Sequence, residues 1–280
     1  MVYLNGWTGP FEDAYVSVND RAYNFGDGVY EVIKSYGGKL FALEEHLKRL
    51  EFSAAAVEIV FPWDSHQLTV MVEDVLNKSN IPEAIIYMQL SRGVAPRNHL
   101  FDPGIKPSLL ITVRNVPDIS PAIYSQGVKV ITQREFRWQM CNVKSISLQA
   151  AVLAKHRAHK AGAAEVVFVL PDQTVTECGT SNIFIVRKGV LMTHPADNKI
   201  LAGVTRQQVL GLAEAAGLKV MVEPFYREDL LGADEVFITG TVAEIVPVVT
   251  VDDSQVSAGQ PGPLTARIRR DFDSLVRKTV

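Results

Sequence analysis

Five short stretches of the chain carry residue types that can do chemistry. In SRGVAPRNH, Arg92, Arg97 and His99 surround a loop that contains glycine and proline. Arg97 and His99 are two apart, so in an extended loop they point to the same side. A guanidinium grips a carboxylate bidentately and an imidazole adds a further donor, so this pair suits a small carboxylate. An exposed loop with incidental charges is the plainer reading. In MCNVKSISLQAAVLAK, Lys144 sits between a strand-like run and a helix start, among small polar residues. A packed lysine with a lowered pKa is a nucleophile toward carbonyls. It is one of thirteen lysines, and most lysines lie on the surface.

The other three stretches offer a carboxylate and two anion seats. In TVTECGTSNIFIV, Glu177 precedes Cys178, Gly179, Thr180, Ser181 and Asn182. This is either a crowded polar site or a turn rich in cap-forming residues. In KILAGVTRQQVL, a glycine, Val204 and Thr205 open an amphipathic helix. The free N–H groups of such a helix start can face an anion, although Thr205 near a plain cap fits the same residues. FITGTVAEI adds a similar turn at Thr239-Gly240-Thr241.

These residues must be positioned by a mixture of strands and helices. EVIKSYGGKLFAL reads as a hairpin turning at Gly37-Gly38, and LEEHLKRLEFSAAAV as a helix with Leu43, Leu47, Leu50 and Ala54 on one face. Asp64 is the expected cap of a second helix, QLTVMVEDVL. EAIIYMQLSRG and PSLLITVRN read as strands, and NVPDISPAIYSQG as a linker. The expected division is therefore a small domain over 1–120 and a larger one over 121–280. The second half holds a helix from about Leu148 to Lys160, the strand EVVFVL, the hairpin NIFIVRKGVLMTH, the strand pair DEVFITG and AEIVPVVTV, and a final helix LTARIRRDFDSLVRK. Without a strict βαβ rhythm, the expected class is α+β.

Composition removes several classes of function. A formal net charge of −3 gives no footprint for nucleic acid or an anionic membrane. The apolar runs are far too short to span a bilayer. Cys141 and Cys178 form no C-x-x-C pair, which argues against disulfides or zinc and for a reducing cytoplasm. His156 and His159 lie three apart on a helix, yet Lys155, Arg157 and Lys160 make a poor setting for a metal. Gly26-Asp27-Gly28 imitates the start of a dinucleotide fingerprint, but Glu31 stands where the third glycine belongs and strand follows.

Taken in order, DRAYNFGDGVYEV, EEHLKRL, Lys144-Ser145, TVTE with Ser181-Asn182, ILAGVTR and FITGT resemble the fold-type IV pyridoxal 5′-phosphate (PLP) enzymes. That family includes D-amino-acid transaminases, branched-chain aminotransferases and aminodeoxychorismate lyases. The resemblance implies a two-domain α+β fold, with a small N-terminal sandwich-like domain and a larger, barrel-like mixed domain. It implies that Lys144 holds the cofactor as a Schiff base and that Glu177 pairs with the protonated ring nitrogen. Arg49, the backbone at Val204, Thr205 and Thr241 would bind the phosphate, with Thr180 and Ser181 nearby.

SRGVAPRNH looks most like the D-amino-acid transaminases, whose R-G-x-x-x-R-x-H pattern traps the substrate α-carboxylate. Arg97 and His99 occupy those positions, and Tyr30 matches the tyrosine that completes the trap. The loop there reaches across from a neighbouring subunit, which implies a homodimer acting on amino and keto acids. The stretch after Glu177 reads Cys-Gly-Thr-Ser-Asn where relatives often carry serines. The alternatives within the fold are a branched-chain L-amino-acid or (R)-amine transaminase and an aminodeoxychorismate lyase. A binding protein on the same scaffold is disfavoured by the presence of Lys144, Glu177 and Arg49 together.

Overall fold

The computed structural model describes residues 1–280, and the chain divides into two compact units. The first comprises residues 1–117, the strip 143–148 and Val280; the second comprises 118–142 and 149–279.

The first unit contains β1 (Val2–Leu4), β2 (Trp7–Gly9), α1 (Arg21–Phe25), β3 (Gly28–Tyr36), β4 (Lys39–Leu40), α2 (Leu43–Ala56), α3 (Ser65–Ser79), β5 (Ala84–Ser91) and β6 (Ser108–Asn115). Its strands form one antiparallel sheet in the order β2-β1-β6-β5-β3-β4. Along β3, Val29, Glu31, Ile33 and Ser35 are buried, while Tyr30, Val32, Lys34 and Tyr36 are half-buried. That alternation is the two-residue period of a strand with one face in a core. Leu47, Leu50 and Ala54 of α2 and Leu68, Val72 and Val75 of α3 fill the same core. The turn between β3 and β4 falls at Gly37-Gly38, both with positive φ, as a tight hairpin requires. Asp64 caps α3 in a reciprocal box with Gln67.

The second unit contains α4 (Ala122–Ser125), β7 (Val128–Arg134), α5 (Gln149–Lys160), β8 (Glu165–Val169), β9 (Thr174–Cys178), β10 (Asn182–Arg187), β11 (Val190–Thr193), α6 (Val204–Ala215), β12 (Lys219–Val222), β13 (Phe225–Tyr226), α7 (Arg227–Leu231), β14 (Glu235–Gly240), β15 (Glu244–Val251), β16 (Ser254–Gln255) and α8 (Pro263–Thr279). Ten strands build one curled mixed sheet, ordered β12-β11-β10-β14-β15-β7-β8-β9-β13, with β16 on β15. The pairs β11–β12, β7–β15 and β7–β8 are parallel and the rest antiparallel. Strands β8, β9 and β10 are buried almost throughout, so both faces are covered. Helices segregated from one antiparallel and one mixed sheet make the fold α+β, as the sequence indicates. No helix is long and apolar enough to cross a membrane.

Candidate active site

In the first unit, a chain of polar contacts surrounds Lys144. The strip carrying it pairs with the end of β3: Tyr30 N–H donates to Lys144 O at 2.9 Å, and Val29 bridges Ser145. From α2, Ser53 Oγ accepts from Lys144 N–H at 3.1 Å. The backbone is thus fixed on both sides, and the ammonium lies 4.2 Å from the Tyr30 ring centroid. A cation over an aromatic face is attracted by the negative face of the ring. Tyr87, opposite Val32 on β5, packs its ring 5.5 Å from Tyr30 and donates to Gln89 at 2.7 Å. Burial pushes the Tyr87 hydroxyl up to about 12, so it stays a neutral donor.

Arg49 comes from α2 and meets Glu31 as two parallel bonds, Nε to Oε1 at 2.7 Å and Nη2 to Oε2 at 2.8 Å. His46, one turn earlier, places Nδ1 2.8 Å from Glu31 Oε2. Burial alone would raise the Glu31 carboxyl, but the Arg49 charge and these hydrogen bonds hold it down to about 2. Burial lowers the His46 pKa, so the ring is a neutral Nδ1–H donor.

Arg97 and His99 lie in the connection from β5 to β6, and both are exposed. They share one platform: the Arg97 guanidinium lies 5.1 Å and the His99 ring 5.4 Å from the Phe25 ring centroid.

In the second unit, Glu177 at the end of β9 is buried. Arg137 Nη1 donates to its Oε1 at 2.7 Å, while Asn182 Nδ2 and Leu201 N–H donate to Oε2, both at 3.0 Å. Arg137 is shared, because its Nε and Nη2 grip Glu135 at 3.0 and 2.7 Å. Glu177 therefore has no cation of its own, and burial pushes its carboxyl up to about 7 against the pull of Arg137. Leu201 and Asn182 also tie Glu177 to the start of α6. Asn182 Nδ2 donates to Leu201 O at 2.9 Å, and a Cβ on Gly203 would fall 2.0 Å from Asn182 Oδ1. Only glycine permits that approach.

Gly203 caps α6 with no side-chain hydrogen bond, and Val204, Thr205 and Arg206 of the first turn are buried. A buried helix start without a capping side chain leaves N–H groups that need an acceptor. On β14, Thr239 Oγ1 is buried and unpartnered, and Thr241 follows the strand directly. Thr180 instead donates to the buried Glu165 at 2.5 Å, which commits its hydroxyl there.

Several contributors carry no visible mark in the sequence. Arg137 lies in an unremarkable run, QREFRWQM, and His46 in an ordinary helix. Glu31 stands out there only as the residue that spoils a glycine fingerprint, although a charged residue at a core-facing strand position is a signal. His156 and His159 are exposed on α5.

The fold and these clusters fit an amino-transferring enzyme class. Residues 28–251 match the family model described as amino-transferase class IV, and the chain belongs to that family. It is 43% identical over 264 residues to the D-alanine aminotransferase of Listeria monocytogenes serotype 4b (strain F2365), covering 93% of this chain and 91% of that protein. It is 38% identical over 269 residues to the D-alanine aminotransferase of Bacillus licheniformis, covering 96% and 94%. Among solved structures, the branched-chain amino acid aminotransferase of Escherichia coli superposes with a TM-score of 0.93 at 29% identity, over 98% of this chain and 94% of that one. A second branched-chain amino acid aminotransferase, from T.th. and solved with pyridoxamine 5′-phosphate, gives a TM-score of 0.93 at 27% identity, over 98% and 93%.

Class IV aminotransferases work with PLP, and PLP is the cofactor of this chain. The residues fit it. A dianionic phosphate matches the uncapped helix start at Val204–Thr205 and the unpartnered Thr239 hydroxyl. A protonated ring nitrogen matches the incompletely neutralised carboxylate of Glu177.

Proposed function

We propose that this aminotransferase moves the amino group between D-amino acids, such as D-alanine and D-glutamate, and 2-keto acids. The observation that carries the reading is that Arg97 and His99 both lie against the Phe25 ring, 5.1 and 5.4 Å from its centroid. Two donors on one rigid ring offer a carboxylate a fixed orientation. The relatives named D-alanine aminotransferase support the same substrate class.

When bound, PLP supplies the electron sink for the electrons released at the substrate Cα. Lys144 supplies the amine that holds the cofactor, and its displaced amine then carries the proton to and from Cα. Its backbone is held by Tyr30 and Ser53, so the amine returns to one place. Glu177 stabilises the proton on the ring nitrogen by charge attraction. Arg49, aimed by Glu31, holds the phosphate with the N–H groups at Val204 and Thr205 and the Thr241 turn. Thr180 acts through Glu165. Arg97 and His99, with Tyr30, orient the α-carboxylate, which fixes the face of Cα presented to Lys144. The working form is a homodimer in the cytoplasm. Leu100, beside the carboxylate pair, is 80% exposed, and an apolar side chain so placed supports a second subunit packing there.

The test is a screen of D- and L-amino acids with 2-oxoglutarate or pyruvate as acceptor. Strong preference for D-alanine and D-glutamate supports the reading. Preference for L-leucine or L-valine transfers it to the branched-chain class, and turnover without any acceptor to a lyase.

A further inference from the structure

Gly26-Asp27-Gly28 has a structural role that its likeness to a nucleotide fingerprint conceals. Asp20 caps the short helix α1, accepting from Ala22 N–H at 2.9 Å. Gly26 ends that helix in the left-handed conformation at φ 66°. A Cβ on Gly28 would lie 2.7 Å from Leu90 O, so glycine is needed where β3 meets β5. Between the two glycines, Asp27 Oδ2 accepts from Arg21 Nε at 2.7 Å and from Arg92 Nε at 2.8 Å. Its Oδ1 accepts from Arg92 Nη2 at 3.0 Å. Both arginines are almost fully buried. Despite burial, these two guanidinium groups hold the Asp27 carboxyl below the usual carboxylate range.

The free ends of the two arginines reach different places. Arg92 donates to Glu58 O and Val57 O, both at 2.7 Å, and so ties down the end of α2. Arg21 donates from Nη1 to Asn98 O at 2.6 Å and from Nη2 to His99 O at 3.5 Å. Phe101 lies 3.7 Å from the Arg92 guanidinium, and Phe25 lies 4.7 Å from that of Arg21. Phe25 is the ring that also carries Arg97 and His99. The connection from β5 to β6 has no strand or helix of its own around these residues. The carbonyls of residues 98 and 99 at its tip are both received by one buried guanidinium, whose direction is fixed by Asp27.

We propose that Asp27 and Arg21 are positioning residues that aim the Arg97–His99 pair at the substrate carboxylate. The inference rests on the reading of that pair as the carboxylate site. Arg21 acts on the backbone of residues 98 and 99 and touches no substrate. A shift of about 1 Å in that backbone is enough to weaken a bidentate contact strongly.

The test uses the holoenzyme with Arg21→Lys, which keeps the charge and loses the fork. Asp27→Asn serves as a second variant, and Arg97→Ala as a control. The Michaelis constant for D-alanine and the inhibition constant of propionate, a bare carboxylate, are measured beside PLP retention. Hydrogen–deuterium exchange is followed over residues 97–101. Arg21→Lys should raise both constants about tenfold, with kcat within about twofold, and should leave PLP retention unchanged. Exchange in the loop should rise. Asp27→Asn should move the same readings in the same direction. If Arg97→Ala raises both constants while both clamp variants keep them at wild-type values, the clamp is overturned and the carboxylate reading stands. If Arg97→Ala itself leaves both constants unchanged, the carboxylate reading falls and takes the clamp with it.

Discussion

Arg49 and Glu31 meet fork to fork, at 2.7 and 2.8 Å, with the carboxylate fully buried beneath the guanidinium. Two parallel charge-assisted bonds fix the guanidinium plane as well as its position. Glu31 is held down to about 2 from its ordinary 4.5. A depressed carboxyl contributes stability that is present above its unfolded pKa and lost as pH falls through the folded one. The window runs from about pH 4.5 down to about pH 2. Thermal melting of Glu31→Gln against pH should show a large deficit at pH 7 that shrinks toward pH 2. A deficit that does not change with pH would mean the pair contributes packing alone.

Arg49→Ala should weaken PLP retention far more than it alters substrate preference. A phosphate carries roughly −1.5 to −2 charge, so one missing guanidinium costs a charge-assisted contact. Dialysis followed by absorbance is the measurement. Equal retention by wild type and variant would place Arg49 outside the phosphate site.

Lys144→Ala should lose the borohydride-reducible link to the cofactor and nearly all turnover, since both functions use one amine. Peptide mapping after reduction of the wild type identifies the lysine. A label on any of the other lysines would refute the assignment.

Glu177→Gln keeps the shape and removes the charge beside the ring nitrogen. The half-reaction with D-alanine should slow in stopped-flow measurement while PLP stays bound. Unchanged rates would show that the shared Arg137–Glu135–Glu177 cluster does not act on the cofactor's electronics.

Arg97→Ala should lower kcat/KM for D-alanine by roughly tenfold to over a hundredfold, as a hydrogen bond to a charged group contributes about 1.5–3 kcal/mol. The loss should be similar for every α-amino acid, because all share the carboxylate. Intact D-alanine turnover in this variant would remove the D-specific reading.

The elements with strong local signals are legible in the sequence. The α3 cap at Asp64, the Gly37-Gly38 turn and the opening of α6 follow from side-chain chemistry within a few residues. Helix α1 escapes such a reading, because five residues carry too little periodicity. The roles of Arg137 and Asp27 are hidden for a different reason. Each depends on partners distant in the chain, Glu177 for the first and Arg92 for the second, and spacing reports only neighbours. Arg49 illustrates the intermediate case: its place on α2 is readable, but not the buried carboxylate that aims it.

The strip that bears Lys144 clusters with the first unit although the chain on either side of it belongs to the second. Its anchor to Ser53 joins residues 91 apart in sequence. Closing so long a loop is entropically costly and belongs to the slow, non-local part of folding. The seat of the reactive amine is therefore assembled only when distant segments have already met. A nascent or partly folded chain carries the lysine without its setting, and acquisition of the yellow chromophore during refolding would time the arrival of the native topology.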